Sequence, residues 1–184
     1  WSDQIVSFLW ALDVTDIFRI QVIRNDKGLE TVGISHCFVN AKGTEAYGQT
    51  FMNESLSLRR LILIAVSFFE AFSKEKIIVI DDFGQLLHPY VLTHIVEIFH
   101  ANDMESQLIV VDCNPALLQK DLMRKDSIWF AEKGEESSTE FVSLSDFRGI
   151  KAKQSIYDGY LQGIFGALPI ESDFCFQNKV KENN

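Results

Sequence analysis

Apolar and polar positions change period several times along the chain, and each change marks an element. In residues 2–11 (SDQIVSFLWA), Ile5, Phe8 and Leu9 fall on one helical face, with Ser2 or Asp3 placed to cap it. The period then drops to two. Phe18, Ile20 and Val22 share one face while Arg19, Gln21 and Arg24 fall mostly elsewhere, which predicts a half-buried strand. Asn25-Asp26-Lys27-Gly28 reads as a turn, residues 29–39 as a second strand, Asn40-Ala41-Lys42-Gly43 as another turn, and residues 45–52 as a third strand. Together these predict an antiparallel meander. Residues 54–73 carry the longest helical pattern. Leu58, Leu61, Ile62, Ala65, Phe68, Phe69 and Phe72 form its apolar face, and Ser55 or Ser57 its cap.

Ile77-Ile78-Val79-Ile80 is a run of β-branched residues, the pattern of a strand buried on both faces. His88-Pro89 opens a helix with Val91, Ile95, Ile98 and Phe99 inward. Residues 107–111 (QLIVV) predict a second buried parallel strand, ending at Asp112-Cys113-Asn114, and Pro115 opens a short helix through Leu118. Short strands at 127–130 and 140–142, a bend at 146–148, a helix near 155–162 and a frayed end from 178 complete the order. That order predicts an α/β fold, with parallel core strands, an antiparallel β flank and helices packed on the sheet.

One stretch imitates a phosphate-binding loop. Gly43-Thr44-Glu45-Ala46-Tyr47-Gly48-Gln49-Thr50 has the spacing G-x-x-x-x-G-K-[ST], with Gln49 where the Lys belongs. The missing ammonium is the group that reaches the β- and γ-phosphates. A phosphate loop also follows a buried strand and opens a helix, whereas both flanks here read as hairpin strands.

Composition narrows the picture in three places. The chain has 184 residues, 47% hydrophobic and 23% charged, which suits one domain with a real core. A net charge of −9 argues against a broad nucleic-acid footprint. Cys37, Cys113 and Cys175 are widely spaced and odd in number, so reduced thiols and a cytoplasmic location are the simpler expectation. No apolar run is long enough to span a membrane. The chain opens at Trp1, inside an amphipathic segment, which predicts the second part of something longer.

The candidate chemistry sits where the first parallel-type strand ends. Ligands of open α/β sheets bind outside the carboxyl ends of strands, and here two carboxylates, Asp81 and Asp82, are delivered to that point. Asp81 reads either as a Mg²⁺ ligand or as a turn or N-cap residue. Asp82 reads as a weakened base or as its relic. His88 is a helix-start residue or a contact. Cys113 is a small apolar filler, or a reactive thiol if a base lies beside it. Cys37 and Cys175 read as core. His36, His94 and His100 have no metal-ligand spacing.

Five segments in order carry a resemblance: E-S-x-x-x-x-R-L at 54–61, I-I-V-I-D-D-F-G-Q-L-L-H-P at 77–89, Q-L-I-V-V-D-C-N-P-A-L-L at 107–118, S-L-S-D-F-R at 143–148 and Y-L-Q-G-I-F-G-A-L-P at 160–169. This series resembles the C-terminal half of prokaryotic ABC-type AAA ATPases related to the overcoming-lysogenization-defect (OLD) family of defence systems. The resemblance implies the C-terminal portion of a P-loop NTPase fold over residues 1–172, a tail at 173–184, and a Walker A half not in this chain. It makes Asp81 the Mg²⁺ ligand of Walker B, and Asp82 the counterpart of the catalytic Glu. Ser55, Ser57 and Arg59 become the signature that meets the γ-phosphate of ATP across a dimer interface. Cys113 takes the position of the switch His.

Departures fall on those same positions. Ser57 replaces the signature Gly, and Leu58 its Thr. Asp82 is one methylene shorter than Glu, Cys113 lacks the donor of a His, and Ile164 stands where an Arg is common. Positioning dominates phosphoryl transfer, so hydrolysis is expected to be weak or lost. The implied partners are the chain itself or a homologous ATPase chain, as a dimer or oligomer, and an effector protein such as a nuclease. Nucleic acid enters only through the assembled complex, and no membrane is involved. The alternative is a protein-interaction scaffold or inhibitor that keeps only the ATPase fold.

Overall fold

The computed structural model describes residues 1–24, 26–102, 105–119, 122–134, 136, 138–148 and 155–169. The chain divides into two compact units, Trp1–Leu117 and Leu118–Asn184.

The first unit opens with helix α1 (Ser2–Ala11), which buries Ile5, Val6 and Leu9 and packs on strand β1 and helix α2. Neither expected cap is used: the N-cap is Trp1, without a side-chain cap bond. Ser2 instead donates its hydroxyl to the Ile20 carbonyl (2.6 Å) and accepts from the Ile20 amide (3.3 Å), which ties the helix start to the first strand.

The antiparallel meander is present as β1 (Ile17–Arg24), β2 (Glu30–Asn40) and β3 (Gly43–Thr50), in the order β1-β2-β3. Its first strand does not present the face expected from strict alternation. The register shifts between Ile17 and Arg19, so Ile17 and Ile20 both point inward while Phe18 and Val22 are exposed. A bulge inserts one residue and turns a two-residue period into a three-residue step. The β2–β3 turn closes on the pair Asn40↔Gly43, with the Asn40 side chain accepting from the Lys42 amide (2.8 Å) and Gly43 at φ 125°. That whole phosphate-loop look-alike is strand β3.

A short 3₁₀ turn (Phe51–Asn53) leads to α2 (Leu56–Lys74). Of the two candidate caps, Ser55 is the one: its Oγ accepts from the Leu58 amide at 3.2 Å. The inward stripe runs Leu61, Ile62, Ile64, Ala65, Phe68 and Ala71, and Phe68 meets Phe99 edge-on at 5.1 Å.

Strands β4 (Ile77–Ile80) and β5 (Gln107–Val110) pair in parallel, joined through α3 (Pro89–Ala101). The inward stripe of α3 is Leu92, Ile95, Val96 and Phe99, so Val91 and Ile98 are only half-buried. Burial of β4 on both faces is not found. Ile78 and Ile80 are half-buried, but Ile77 and Val79 are 64% and 65% exposed, and Ile109 and Val111 lie open on the same face. The described residues cover one face of this pair only.

The second unit contains the hairpin β6 (Trp129–Lys133) and β7 (Thr139–Ser143) and the short helix α4 (Ile156–Leu161), capped by Ser155. Its core is Ile128, Phe130, Leu144 and Phe165. Phe130 stacks between Tyr160 (5.8 Å, 9°) and Phe165 (5.3 Å, 9°). The expected tail at 173–184 and Cys175 lie outside the described residues. No described helix is long and apolar enough to cross a membrane.

Candidate functional site

The acidic turn is stitched to the end of β5. The Val111 amide donates to the Ile80 carbonyl (3.0 Å), and the Phe83 amide donates back to the Val111 carbonyl (3.1 Å). Phe83 is fully buried, which anchors the turn while Asp81 and Asp82 on its N-terminal side stay exposed. Asp81 Oδ1 accepts from the amide of the next residue, Asp82, at 2.9 Å. Asp82 takes a left-handed conformation (φ 49°), as does Leu86 (φ 66°). Such φ values cost about 1 kcal/mol or more in a non-glycine residue and persist only where neighbours over-determine them.

Those neighbours come from α2. Arg60 donates through one guanidinium nitrogen to the carbonyls of Asp81 (2.9 Å) and Asp82 (2.7 Å). Ser57 donates its hydroxyl to the Leu86 carbonyl at 2.9 Å. The first turns of α2 and the acidic turn are therefore one hydrogen-bonded body. A third tie runs from β5. Asp112 Oδ2 accepts from the Gly84 amide, while Oδ1 accepts from the Asn114 amide (2.7 Å) and the Asn114 side chain caps the following 3₁₀ turn. Gly84 is needed for this approach, because a Cβ there would lie 2.8 Å from Asp112 Oδ2 and 2.8 Å from Leu92 Cδ2.

The sequence-predicted residues fare differently. Asp81 keeps one carboxylate oxygen uncommitted, and the Asp82 carboxylate accepts no hydrogen bond among the described residues. Ser55 is engaged as the α2 cap, and Ser57 is engaged with Leu86. Arg59 and Arg60 each hold a buried Nε with no hydrogen-bond partner among the described residues. Cys113 is an exposed free thiol, so the apolar-filler reading is corrected; Cys37 is half-buried. His88 is exposed and caps α3, its Nδ1 accepting from the Tyr90 amide at 3.2 Å.

Arg60 and Asp112 stand in the quoted segments but were given no site role from sequence. Asp112 carried a usable signal, since it stands at the carboxyl end of the second parallel strand as Asp81 does at the first. Arg60 is the Arg of the E-S-x-x-x-x-R-L segment, but its hold on backbone carbonyls is not readable from that pattern.

The donor set can be tested against Mg²⁺ and ATP. Among the described residues no three His, Cys, Asp or Glu side chains converge as a ligand set. Mg²⁺ bound with a nucleotide needs only one or two carboxylates, with waters and phosphate oxygens completing its shell, and Asp81 fits that demand. Arg59 has the charge that a phosphate oxygen would pair with. The segment with phosphate-loop spacing is a strand and does not fit a triphosphate. Two cavities lie elsewhere in this unit: a groove of about 440 Å³ over the meander, lined by Gln21, Gly33, Gly48 and Gln49 among others, and an apolar one of about 340 Å³ lined by Trp1, Ile5, Ile62 and Val66 among others.

No family profile matches the chain, and no curated protein matches it. A solved structure does, from work described as "Structural biochemistry of ATP-driven dimerization and DNA stimulated activation of SMC ATPases". It shares 14% identity over 77% of this chain and 81% of its own, with a TM-score of 0.54. The chain thus shares a mixed α/β fold with that structure.

Proposed function

We propose that this chain is part of an ABC/AAA-type ATPase, with weak or lost hydrolysis, that works in a bacterial anti-phage or abortive-infection system and holds or gates an effector such as a nuclease. The observation that carries the reading is the union of the α2 start with the acidic turn through Arg60 and Ser57, in a fold shared with an SMC ATPase. The defence role rests on the OLD-family resemblance of the five sequence segments.

Mg²⁺, when bound, would neutralise charge on the phosphates. Asp81 would hold it, with the Asp81 carbonyl fixed by Arg60 so that the carboxylate is pre-placed. Asp82 would orient the attacking water. Its shorter reach, and the absence of a His at Cys113, make that step slow. Ser55 and Arg59 would meet the phosphates of a nucleotide held by a homologous chain that supplies the phosphate loop. The SMC neighbour is described as dimerizing in an ATP-driven way, in keeping with self-association here.

A second reading, a protein-interaction scaffold without nucleotide, is favoured by the Ser57 hydroxyl being used internally on Leu86. Thermal unfolding with and without Mg-ATP separates the two, run on this chain alone and on this chain with a protein carrying the phosphate loop. A ligand that binds only the native state raises stability, so Mg-ATP stabilisation lost in Asp81→Ala supports the ATPase reading. No stabilisation in either arrangement overturns it. Robust turnover abolished by Asp81→Ala would overturn the weak-hydrolysis part.

A further inference from the structure

His36 lies on β2, 3% exposed, and both of its ring nitrogens face carboxylates. Nδ1 is 2.7 Å from Asp16 Oδ2, and Nε2 is 2.8 Å from Glu54 Oε1. The ring stacks on Tyr47 at 4.8 Å and 5°. Asp16, Glu54 and Tyr47 are the titratable groups against it, one from the lead-in to β1, one from the lead-in to α2 and one from β3. A neutral imidazole has one N–H, and an ionised carboxylate only accepts, so two such contacts at once require the imidazolium. Burial works against that charge. The hydrogen bonds and charges of Asp16 and Glu54 outweigh it and hold His36 above its ordinary 6.5.

The position of this cluster gives it reach. Asp16 accepts at its carbonyl from the Cys37 amide (2.7 Å), so it is fixed to β2 by backbone as well. Glu54 is 7% exposed, and immediately precedes Ser55, the residue that caps α2 through the Leu58 amide. Three and six residues beyond Glu54 come Ser57 and Arg60, which hold the acidic turn. Nothing in the Asp81–Asp82 chemistry uses His36.

We propose that His36, with Asp16 and Glu54, is a proton-operated latch on the lead-in to α2: closed while the imidazole is cationic, opened when it gives its proton to solvent, so that the seating of the first turn of α2 against the acidic turn depends on pH. On opening, one N–H remains for two carboxylates. Asp16 is half exposed and turns to water. Glu54 is left as a buried charge without its counter-charge, which is unfavourable by itself. Asn53 and Ser55 on either side are exposed, so the outward movement of Glu54 is short, and it takes the Ser55 cap with it. A group whose folded-state pKa is raised contributes its full stabilisation below the unfolded value of 6.5. That contribution is lost as pH rises through the folded-state pKa.

The test uses the full chain and no nucleotide, so it stands or falls apart from the ATPase reading. NMR of the imidazole carbons follows His36. Amide exchange, corrected for intrinsic rates, follows Leu58 and Arg59, both bonded to Ser55. Expected are a His36 titration above 6.5 and a fall of roughly tenfold or more in Leu58 and Arg59 protection across it, a step of about 1.4 kcal/mol. The amides of β6 and β7 should not follow, and Glu54→Gln and His36→Gln should flatten the response. A titration at or below 6.5, or protection at Leu58 and Arg59 that ignores it, overturns the proposal. The wild-type measurements decide even if neither variant folds.

Discussion

Gly84→Ala is the sharpest probe of how the acidic turn is held. The added Cβ would stand 2.8 Å from Asp112 Oδ2 and 2.8 and 3.3 Å from the two methyls of Leu92. Leu92 is fully buried and cannot yield. Asp112 is held from both sides, by the Gly84 and Asn114 amides, and is the partner that must move. Overpacking of this kind costs about 1–3 kcal/mol. Losing the charge-assisted bond from the Gly84 amide adds about 1–3 kcal/mol. A loss of about 2–6 kcal/mol is therefore expected, a large share of the stability of an ordinary domain.

Equilibrium urea unfolding reads this loss, as a midpoint lower by about 1–3 M for common slopes. A Trp129→Phe background leaves Trp1 and Trp10 to report on the first unit. Asp112→Ala should be destabilising alone, but Gly84→Ala should cost less on top of it, since one of its two collisions is gone. The coupling expected for such neighbours is about 0.5–3 kcal/mol. The reasoning is refuted if Gly84→Ala stays within about 0.5 kcal/mol of wild type, or costs the same in both backgrounds.

Two further outcomes are expected. Arg60→Ala removes the nitrogen that donates to both the Asp81 and Asp82 carbonyls and should cost about 1–3 kcal/mol, with faster amide exchange at Phe83 and Gln85; Arg60→Lys should recover only part of it. Phe165→Ala empties the stack on Phe130 and the edge contact with Phe147 (5.2 Å), and should cost about 3–5 kcal/mol in the second unit, read as lost near-ultraviolet dichroism and a lower midpoint.

Much of the fold was legible where the pattern is local. The meander follows from its turns, since Asn40 and Gly43 define the hairpin by their own chemistry. Helix α2 follows from its stripe and Ser55. What was not legible depends on distant neighbours. The face of β1 is set by a bulge at Ile17–Arg19, which no alternation rule contains. The run Ile77–Ile80 reads as buried on both sides because its residue types suit burial, yet cover depends on what else packs there. For the site, the carboxylates at the strand end were readable from Asp81 and Asp82, and their support was not. Arg60 reaches carbonyls about twenty residues away. His36 meets Asp16 and Glu54 at similar separations on either side. Pairings of that range leave no trace in spacing.

The long crossover from Ile80 to Gln107 has a kinetic consequence. The meander closes through tight turns, and hairpins of that kind form in about 1–10 μs. Pairing β4 with β5 must wait until the whole segment 81–106, with α3 inside it, has folded back. The bonds that define the acidic turn to the Val111 backbone and to Asp112 cannot exist before that pairing. The candidate site therefore cannot be complete before β4 and β5 pair.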